Sequence, residues 1–150
     1  FEAAHAADGV HVVVLDVAGT YASLPTSFNR TLTCERAGAF PACDGYVFVD
    51  DVHPTAAVYA VYADAAFAAL DALAEDEEDD DNPRLFHRVI TFGDSLADTG
   101  SFNDVMLRSI GAPLSPAFYE GRFSNGLNVI DFLEDENHLN VLYPSQFYRQ

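Results

Sequence analysis

The chain has 150 residues, which indicates one domain or at most two. Hydrophobic residues make up 49% of the chain and charged residues 21%, a globular composition that excludes a disordered or fibrous protein. The net charge is −17, with seven arginines and no lysine, and this disfavours nucleic acid or an anionic membrane surface as a partner.

The first half of the chain alternates short apolar runs with longer polar stretches. Residues 1–10 show neither an initiator Met nor a signal-peptide pattern, so we expect this start to lie inside a longer protein. Residues 10–17 (VHVVVLDV) predict a buried, parallel strand, and residues 19–44 predict a loop. Residues 46–49 (YVFV) form a second apolar run, and residues 55–74 predict a helix. No uncharged apolar stretch approaches the roughly 18 residues of a membrane span.

Two features of the predicted loop favour an exported protein. Cys34 and Cys43 are the only cysteines, and eight residues without a histidine separate them. A small disulfide loop therefore explains them better than a metal site. Asn29 begins the one glycosylation sequon, Asn29-Arg30-Thr31. We expect a secreted or extracellular protein that holds no metal.

The middle of the chain carries an unbroken run of seven acids, residues 75–81 (EDEEDDD). Such a run repels itself and stays solvated, so residues 75–86 predict a linker. A calcium site is the alternative interpretation, but the run lacks the spaced ligands and the glycine of an EF-hand loop. An acidic, lysine-free surface suits high salt. A GC-rich coding bias explains the same composition, and the two explanations stay open.

After the linker the chain begins a second strand-then-helix pattern. Residues 88–92 (RVITF) predict a strand, and residues 93–96 (GDSL) turn out of it. Asp94 and Ser95 are both good N-cap types, so a short helical turn could start there. Residues 125–136 predict a second helix. Strands that alternate with helices favour an α/β fold.

Ser95, His53 and Asp50 are the residues best placed for chemistry. Ser95 follows a predicted parallel strand, and reactive groups gather at the carboxyl ends of such strands. Asp50 lies three residues before His53, a spacing that can set a carboxylate against the imidazole. The structural alternatives are a helix cap at Ser95 and a surface turn at Asp50. The other four histidines have no comparable partner.

Three stretches of this sequence resemble one enzyme family. They are residues 92–100 (FGDSLADTG), residues 121–126 (GRFSNG) and residues 46–55 (YVFVDDVHPT). The first looks like the opening block of the GDSL-type (SGNH) serine esterases and lipases. The second matches the stretch that follows that block in the larger GDSL lipases. The third looks like the last block of the family, whose D-x-x-H-P-T carries the catalytic Asp and His.

The resemblance implies a three-layer α/β/α sandwich around a parallel sheet, with no cofactor. It also implies hydrolysis of small-molecule or lipid esters through an acyl-enzyme. Ser95 would be the nucleophile, and its backbone N–H would be one oxyanion donor. His53 would be the general base. Asp50 rather than Asp51 would orient it, because only Asp50 has the three-residue offset.

The chain departs from the family in two ways. Its Asp-His block precedes its Ser block, so residues 1–74 correspond to a C-terminal-type half and residues 87–150 to an N-terminal-type half. The middle blocks, which supply an oxyanion Gly and an oxyanion Asn, are missing. Residues 101–104 (SFND) imitate the Asn block without its glycine, and we interpret them as structural.

Two hypotheses fit the reversed order. In the one we prefer, the chain spans the junction of tandem hydrolase domains, and His53 and Ser95 serve different active sites. The omitted central strands favour it, because they leave residues 12–15 and 89–92 without neighbours. In the other, the chain is an incomplete circular permutant joined through the linker. The predicted function is ester hydrolysis, with association with another hydrolase half or chain as a further expectation. The alternative is a silent fragment that acts as an acidic interaction or structural segment.

Overall fold

A computed structural model describes residues 12–75, 89–113, 115, 118–137 and 141–142. The elements in these ranges, in chain order, are helix α1 (Val17–Ser23), helix α2 (Ala56–Glu75), strand β1 (Val89–Ile90), helix α3 (Ser101–Ile110), a 3₁₀ turn (Tyr119–Gly121), helix α4 (Val129–Asn137) and strand β2 (Val141–Leu142). No helix within them is long and apolar enough to cross a membrane. The predicted linker, apart from Glu75, lies outside the described residues, as do His5, His11, His87 and His138.

The two strands form a short parallel pair. Val89 lies opposite Val141, and Ile90 lies opposite Leu142. The strand predicted at residues 88–92 therefore pairs at positions 89 and 90, and Phe92 beyond them is 90% exposed. One parallel pair fits an α/β protein. The three-layer sandwich stays a prediction, because the described residues hold no further strands.

The valine run near the start is not a buried strand, and that prediction is wrong for its described part. Residues 12–16 form neither helix nor strand, and Val14 is 85% exposed. A β-branched run needs a neighbouring strand to bury it, and none lies beside this one in the described structure. The chain turns instead into α1, because the Asp16 carboxylate accepts a hydrogen bond from the Gly19 N–H at 2.8 Å. The loop prediction is wrong for the residues that α1 contains.

The helix predicted at residues 55–74 is confirmed as α2. Pro54 precedes it, and Thr55 anchors its start by donating its hydroxyl hydrogen to the Tyr46 carbonyl at 2.9 Å. Val58, Tyr59 and Ala63 are its buried side chains. Val58 and Tyr59 are adjacent, and Ala63 follows four positions after Tyr59, so the three side chains lie on one face of the helix, as an amphipathic helix requires. Val58 joins Leu24 and Val47 in the hydrophobic core.

The disulfide candidates are bonded to each other, and both Cys34 and Cys43 are fully buried. The loop they close lies against the second apolar run. The Cys34 N–H donates to the Phe48 carbonyl and the Glu35 N–H to the Val49 carbonyl, both at 2.9 Å. The disulfide loop therefore supports the backbone that leads directly into Asp50.

Three polar side chains after α3 bind other segments of the chain, and we call Ser124, Asn125 and Asn128 the polar seam. The first two bind the start of α2, and Asn128 donates to the Asp98 carbonyl at 3.0 Å. The buried Ser124 hydroxyl donates to the Pro54 carbonyl at 3.1 Å, and the Asn125 side-chain oxygen accepts from the Ala56 N–H at 3.0 Å. The Asn128 side-chain oxygen accepts from the Ile130 N–H at 2.9 Å. This cap explains why α4 begins at Val129 rather than at the predicted residue 125.

Candidate active site

A tight turn holds Asp50 against His53. One carboxylate oxygen of Asp50, Oδ1, accepts hydrogen bonds from the backbone N–H groups of Val52 at 2.9 Å and His53 at 2.7 Å. The backbone closes the turn, because the Val49 N–H donates to the His53 carbonyl at 2.8 Å. The second carboxylate oxygen, Oδ2, lies 2.7 Å from His53 Nδ1. The three-residue offset thus sets the carboxylate against the imidazole by local geometry alone.

The pKa of Asp50 lies below its ordinary value of 3.8. Burial by itself raises this pKa, but hydrogen bonds from the His53 backbone, the His53 side chain and the Val52 backbone outweigh it and favour the ionised form. Asp50 is therefore a carboxylate at neutral pH. A carboxylate at this position holds the proton of His53 on Nδ1 and leaves Nε2 free to accept one.

Ser95 sits in a turn that its neighbours build. The Asp94 carboxylate accepts from the Leu96 N–H at 3.0 Å, and the Asp94 carbonyl accepts from the Ala97 N–H at 3.1 Å. Gly93 is needed here, because an added Cβ would lie 2.7 Å from the Ala97 Cβ. The Asp94 side chain closes this turn, but no helix follows it, so the helical turn predicted here is wrong.

The structure brings Ser95 and His53 together. Ser95 Oγ lies 2.9 Å from His53 Nε2, although the two residues are 42 positions apart. The preferred junction hypothesis assigns the two residues to different active sites, whereas here they lie within hydrogen-bond distance of each other. Ser95 and His53 meet because the polar seam joins their two segments: the Ser124 hydroxyl donates a hydrogen bond to the carbonyl of Pro54, the residue that follows His53. Asp51, by contrast, points to solvent and pairs with the exposed Arg36.

Two aromatic rings that were not among the predicted site residues enclose the imidazole. The Phe123 ring stacks on His53 with centroids 4.9 Å apart and planes 26° apart. The Phe118 ring meets His53 edge-on at 6.1 Å. Phe123 belongs to residues 121–126 (GRFSNG), and its place in this motif was the signal in the sequence that pointed to a role in the site. Nothing in the sequence showed that this motif would reach the histidine.

A third missed residue is Tyr59, on the buried face of α2. Its side chain is 2% exposed, and its hydroxyl has no hydrogen-bond partner among the described residues. Burial first, and then the negative charges of Asp94 and Asp50, raise the pKa of Tyr59 well above its ordinary range. The phenol therefore stays protonated close to the site.

A cavity of about 650 Å³ opens beside Ser95. Phe102, Val105 and Phe123 give it an apolar wall, and Asp98, Asp104 and Arg108 also line it. This volume is that of a small-molecule site. No three His, Cys, Asp or Glu side chains in the described ranges are grouped to hold a metal ion.

The Ser95 backbone N–H, the predicted oxyanion donor, has no acceptor among the described residues. Asn103, from the SFND segment, lies in the first turn of α3. It packs against the 3₁₀ turn, since an added Cβ on Gly121 would lie 2.5 Å from the Asn103 Cβ. Because Phe102 and Asp104 of the same segment line the cavity beside Ser95, the purely structural interpretation of residues 101–104 stays a prediction. Asn29, the glycosylation candidate, accepts from the Thr31 and Leu32 N–H groups, and its modification stays a prediction.

The order of contacts, from carboxylate to imidazole to hydroxyl, is the one by which serine hydrolases activate their nucleophile. Over 56 residues, 37% of this chain, the sequence is 45% identical to the phosphatidylcholine-sterol acyltransferase of Aeromonas hydrophila. The chain spans 16% of the length of that protein. This is a partial resemblance to a lipase- or acyltransferase-type enzyme, and it gives only weak support to a GDSL-type relationship. No protein-family model matches the chain, and no solved structure matches it.

Proposed function

We propose that this chain is an ester hydrolase that acts through Ser95, His53 and Asp50. One observation carries the proposal: the unbroken contacts from Asp50 Oδ2 to His53 Nδ1 at 2.7 Å and from His53 Nε2 to Ser95 Oγ at 2.9 Å. The partial likeness to an acyltransferase supports the same chemistry. Of the two hypotheses for the reversed order, this geometry favours the permuted chain with one site.

The reaction proceeds in two halves. Ser95 Oγ adds to the acyl carbonyl carbon while His53 Nε2 takes its proton, and Asp50 stabilises the imidazolium. The alcohol then leaves with that proton, and the acyl group stays on Ser95. A water molecule, deprotonated by His53, releases the carboxylic acid and restores the serine. An alcohol in place of water would give acyl transfer, the reaction in the name of the relative.

The substrate class follows from the cavity beside the nucleophile. Its volume and apolar wall suit the acyl part of a small-molecule or lipid ester. The Ser95 N–H is the single oxyanion donor we assign. Because the loss of one such donor costs about 10²–10³ in rate, we expect slow turnover unless another chain or segment supplies a second donor. The buried disulfide and the Asn29 sequon favour an extracellular location.

Hydrolysis of p-nitrophenyl butyrate by the purified chain tests the proposal. We expect turnover that Ser95→Ala removes and that the control Ser109→Ala retains, because Ser109 is exposed on α3 and does not line the cavity. A rate per chain that is constant on dilution supports a site within one chain. A rate per chain that rises with concentration points to a site shared between chains. Equal rates for Ser95→Ala and the wild type would favour the silent fragment.

A further inference from the structure

We propose that Phe123 has two roles. It is a positioning residue for His53, and its ring also forms part of the wall against which the acyl chain packs. This inference rests on the proposed ester hydrolysis and deepens it in two respects. It assigns a residue that keeps the general base aligned. It also predicts a preference for esters with apolar acyl chains over acetate esters.

The first step concerns the freedom that the hydrogen bonds leave to His53. The bonds to Asp50 and Ser95 both lie at ring nitrogens, so they fix the imidazole within its own plane. Beyond these two bonds, rotation of the His53 side chain about Cα–Cβ and Cβ–Cγ is limited by packing. The Phe123 ring, stacked at 4.9 Å with a 26° angle between planes, opposes that rotation. Phe118 limits the same motion from the side, as an edge contact at 6.1 Å.

The second step is that the backbone of Phe123 is anchored on both sides. On one side, Arg122 forms two hydrogen bonds with the buried Asp131, at 2.7 and 2.8 Å. On the other, the Ser124 hydroxyl donates to the Pro54 carbonyl, next to His53 itself. The Ser124 carbonyl also accepts from the Tyr119 N–H at 2.9 Å. A ring held in this way can fix the position of its neighbour, because it has little freedom of its own.

The third step links the same ring to the substrate. Phe123 lines the cavity beside Ser95 and continues its apolar wall through Phe102, whose ring centroid lies 6.0 Å away. Val105 extends this wall along α3. An acyl chain in the cavity would therefore pack on the ring that supports the general base. A long apolar chain would gain this contact, and an acetyl group would reach little of it.

Steady-state kinetics with p-nitrophenyl acetate and p-nitrophenyl octanoate separates the two roles. For Phe123→Leu we expect kcat to fall on both esters by about tenfold to a hundredfold, the scale of a misplaced catalytic group. We expect KM to rise about tenfold on octanoate and little on acetate, because only the longer chain loses its wall. Phe123→Tyr retains the ring and should recover most of kcat. Phe92→Leu is the matched control, since Phe92 is 90% exposed and does not line the cavity.

Proton NMR tests the stack without turnover. Protons above an aromatic face resonate upfield, so the His53 ring signals should move downfield in Phe123→Leu and stay in place in Phe123→Tyr and Phe92→Leu. Unmoved signals in Phe123→Leu, or an unchanged kcat on acetate, would overturn the role of Phe123 while leaving ester hydrolysis intact. Equal losses of kcat in the Leu and Tyr variants would do the same. A wild-type chain without turnover that depends on Ser95 would overturn the proposed function, and this inference with it.

Discussion

Replacing Arg122 with alanine measures how strongly the segment that carries Phe123 is held. The chain offers two Arg–Asp pairs of opposite character. Arg122 and Asp131 have side chains that are 14% and 7% exposed, and two hydrogen bonds join them. Arg36 and Asp51 are each 63% exposed. The same substitution, Arg→Ala, can therefore be compared at a buried and at an exposed ion pair within one protein.

The burial of Asp131 sets the expected magnitude. Without Arg122, its carboxylate stays buried and keeps the Asn128 N–H at 2.9 Å as a remaining partner. Breaking a buried pair costs about 3–5 kcal/mol, and the remaining hydrogen bond places the expected loss toward the lower end. Arg122→Ala also loses the contact with the Tyr119 ring, 5.6 Å from the guanidinium. The exposed pair contributes about 0.2–1 kcal/mol, so Arg36→Ala should cost no more than that.

Urea unfolding followed by far-ultraviolet circular dichroism gives both free energies, since the chain has no tryptophan to report by fluorescence. We expect Arg122→Ala to be the less stable variant by at least about 2 kcal/mol. If it does not fold, Arg122→Lys replaces it. The lysine keeps the charge and loses the two-pronged hydrogen bond, so an intermediate loss is expected. Free energies of unfolding that agree within about 0.5 kcal/mol for Arg122→Ala and Arg36→Ala would refute the reasoning.

Four further predictions concern buried or hydrogen-bonded groups. Asp50→Asn should lower kcat on p-nitrophenyl esters by about 10⁴-fold, because an amide cannot hold the proton on His53 Nδ1; a change below tenfold would contradict the assigned role. Because its pKa is lowered on folding, Asp50 stabilises the wild type above pH 3.8. Urea titrations should show this advantage over Asp50→Asn shrinking as the pH falls below 3.8. Replacing Cys34 and Cys43 by serine opens a loop with a sequence separation of 9 and should cost about 2–3 kcal/mol in urea unfolding; equal stability with and without the bond would contradict this. Tyr59→Phe removes a buried hydroxyl without a described partner, so Tm should stay constant or rise, and a clear fall would reveal a partner for that hydroxyl.

The features that the sequence predicted well are set by neighbours a few residues away. The Asp50–His53 contact needs one turn, and that turn is closed by backbone N–H groups within three positions. The start of α2 follows from Pro54 and from an amphipathic pattern in the residues that come next. Ser95 stands in a turn because Asp94 accepts the hydrogen bonds that close it. Each of these signals is complete within its own short segment.

The features that the sequence could not predict depend on partners far along the chain. The valine run at residues 12–14 has the composition of a strand, yet a strand forms only where a second one pairs with it. The bond between Ser95 and His53 crosses 42 positions, and the reversed block order favoured two separate sites. The stack of Phe123 on His53 also joins distant parts of the chain, because the segment after α3 must return to the turn before α2.

The polar seam explains how that return is specified. Buried hydrophobic side chains around Leu24, Val47 and Val58 hold α1 and α2 together, but they do not reach Ser95. Beside the stack of Phe123 on His53, directional groups join the Ser95 region to the turn that holds His53: Ser124 donates to the Pro54 carbonyl, and Asn128 donates to the Asp98 carbonyl at 3.0 Å. Each is a hydrogen bond with a buried partner, so a shifted arrangement would leave polar groups unpaired. Contacts of this kind select one spatial arrangement, and they act in the same way whichever half comes first along the chain. The reversed order of the motifs is therefore compatible with a single site.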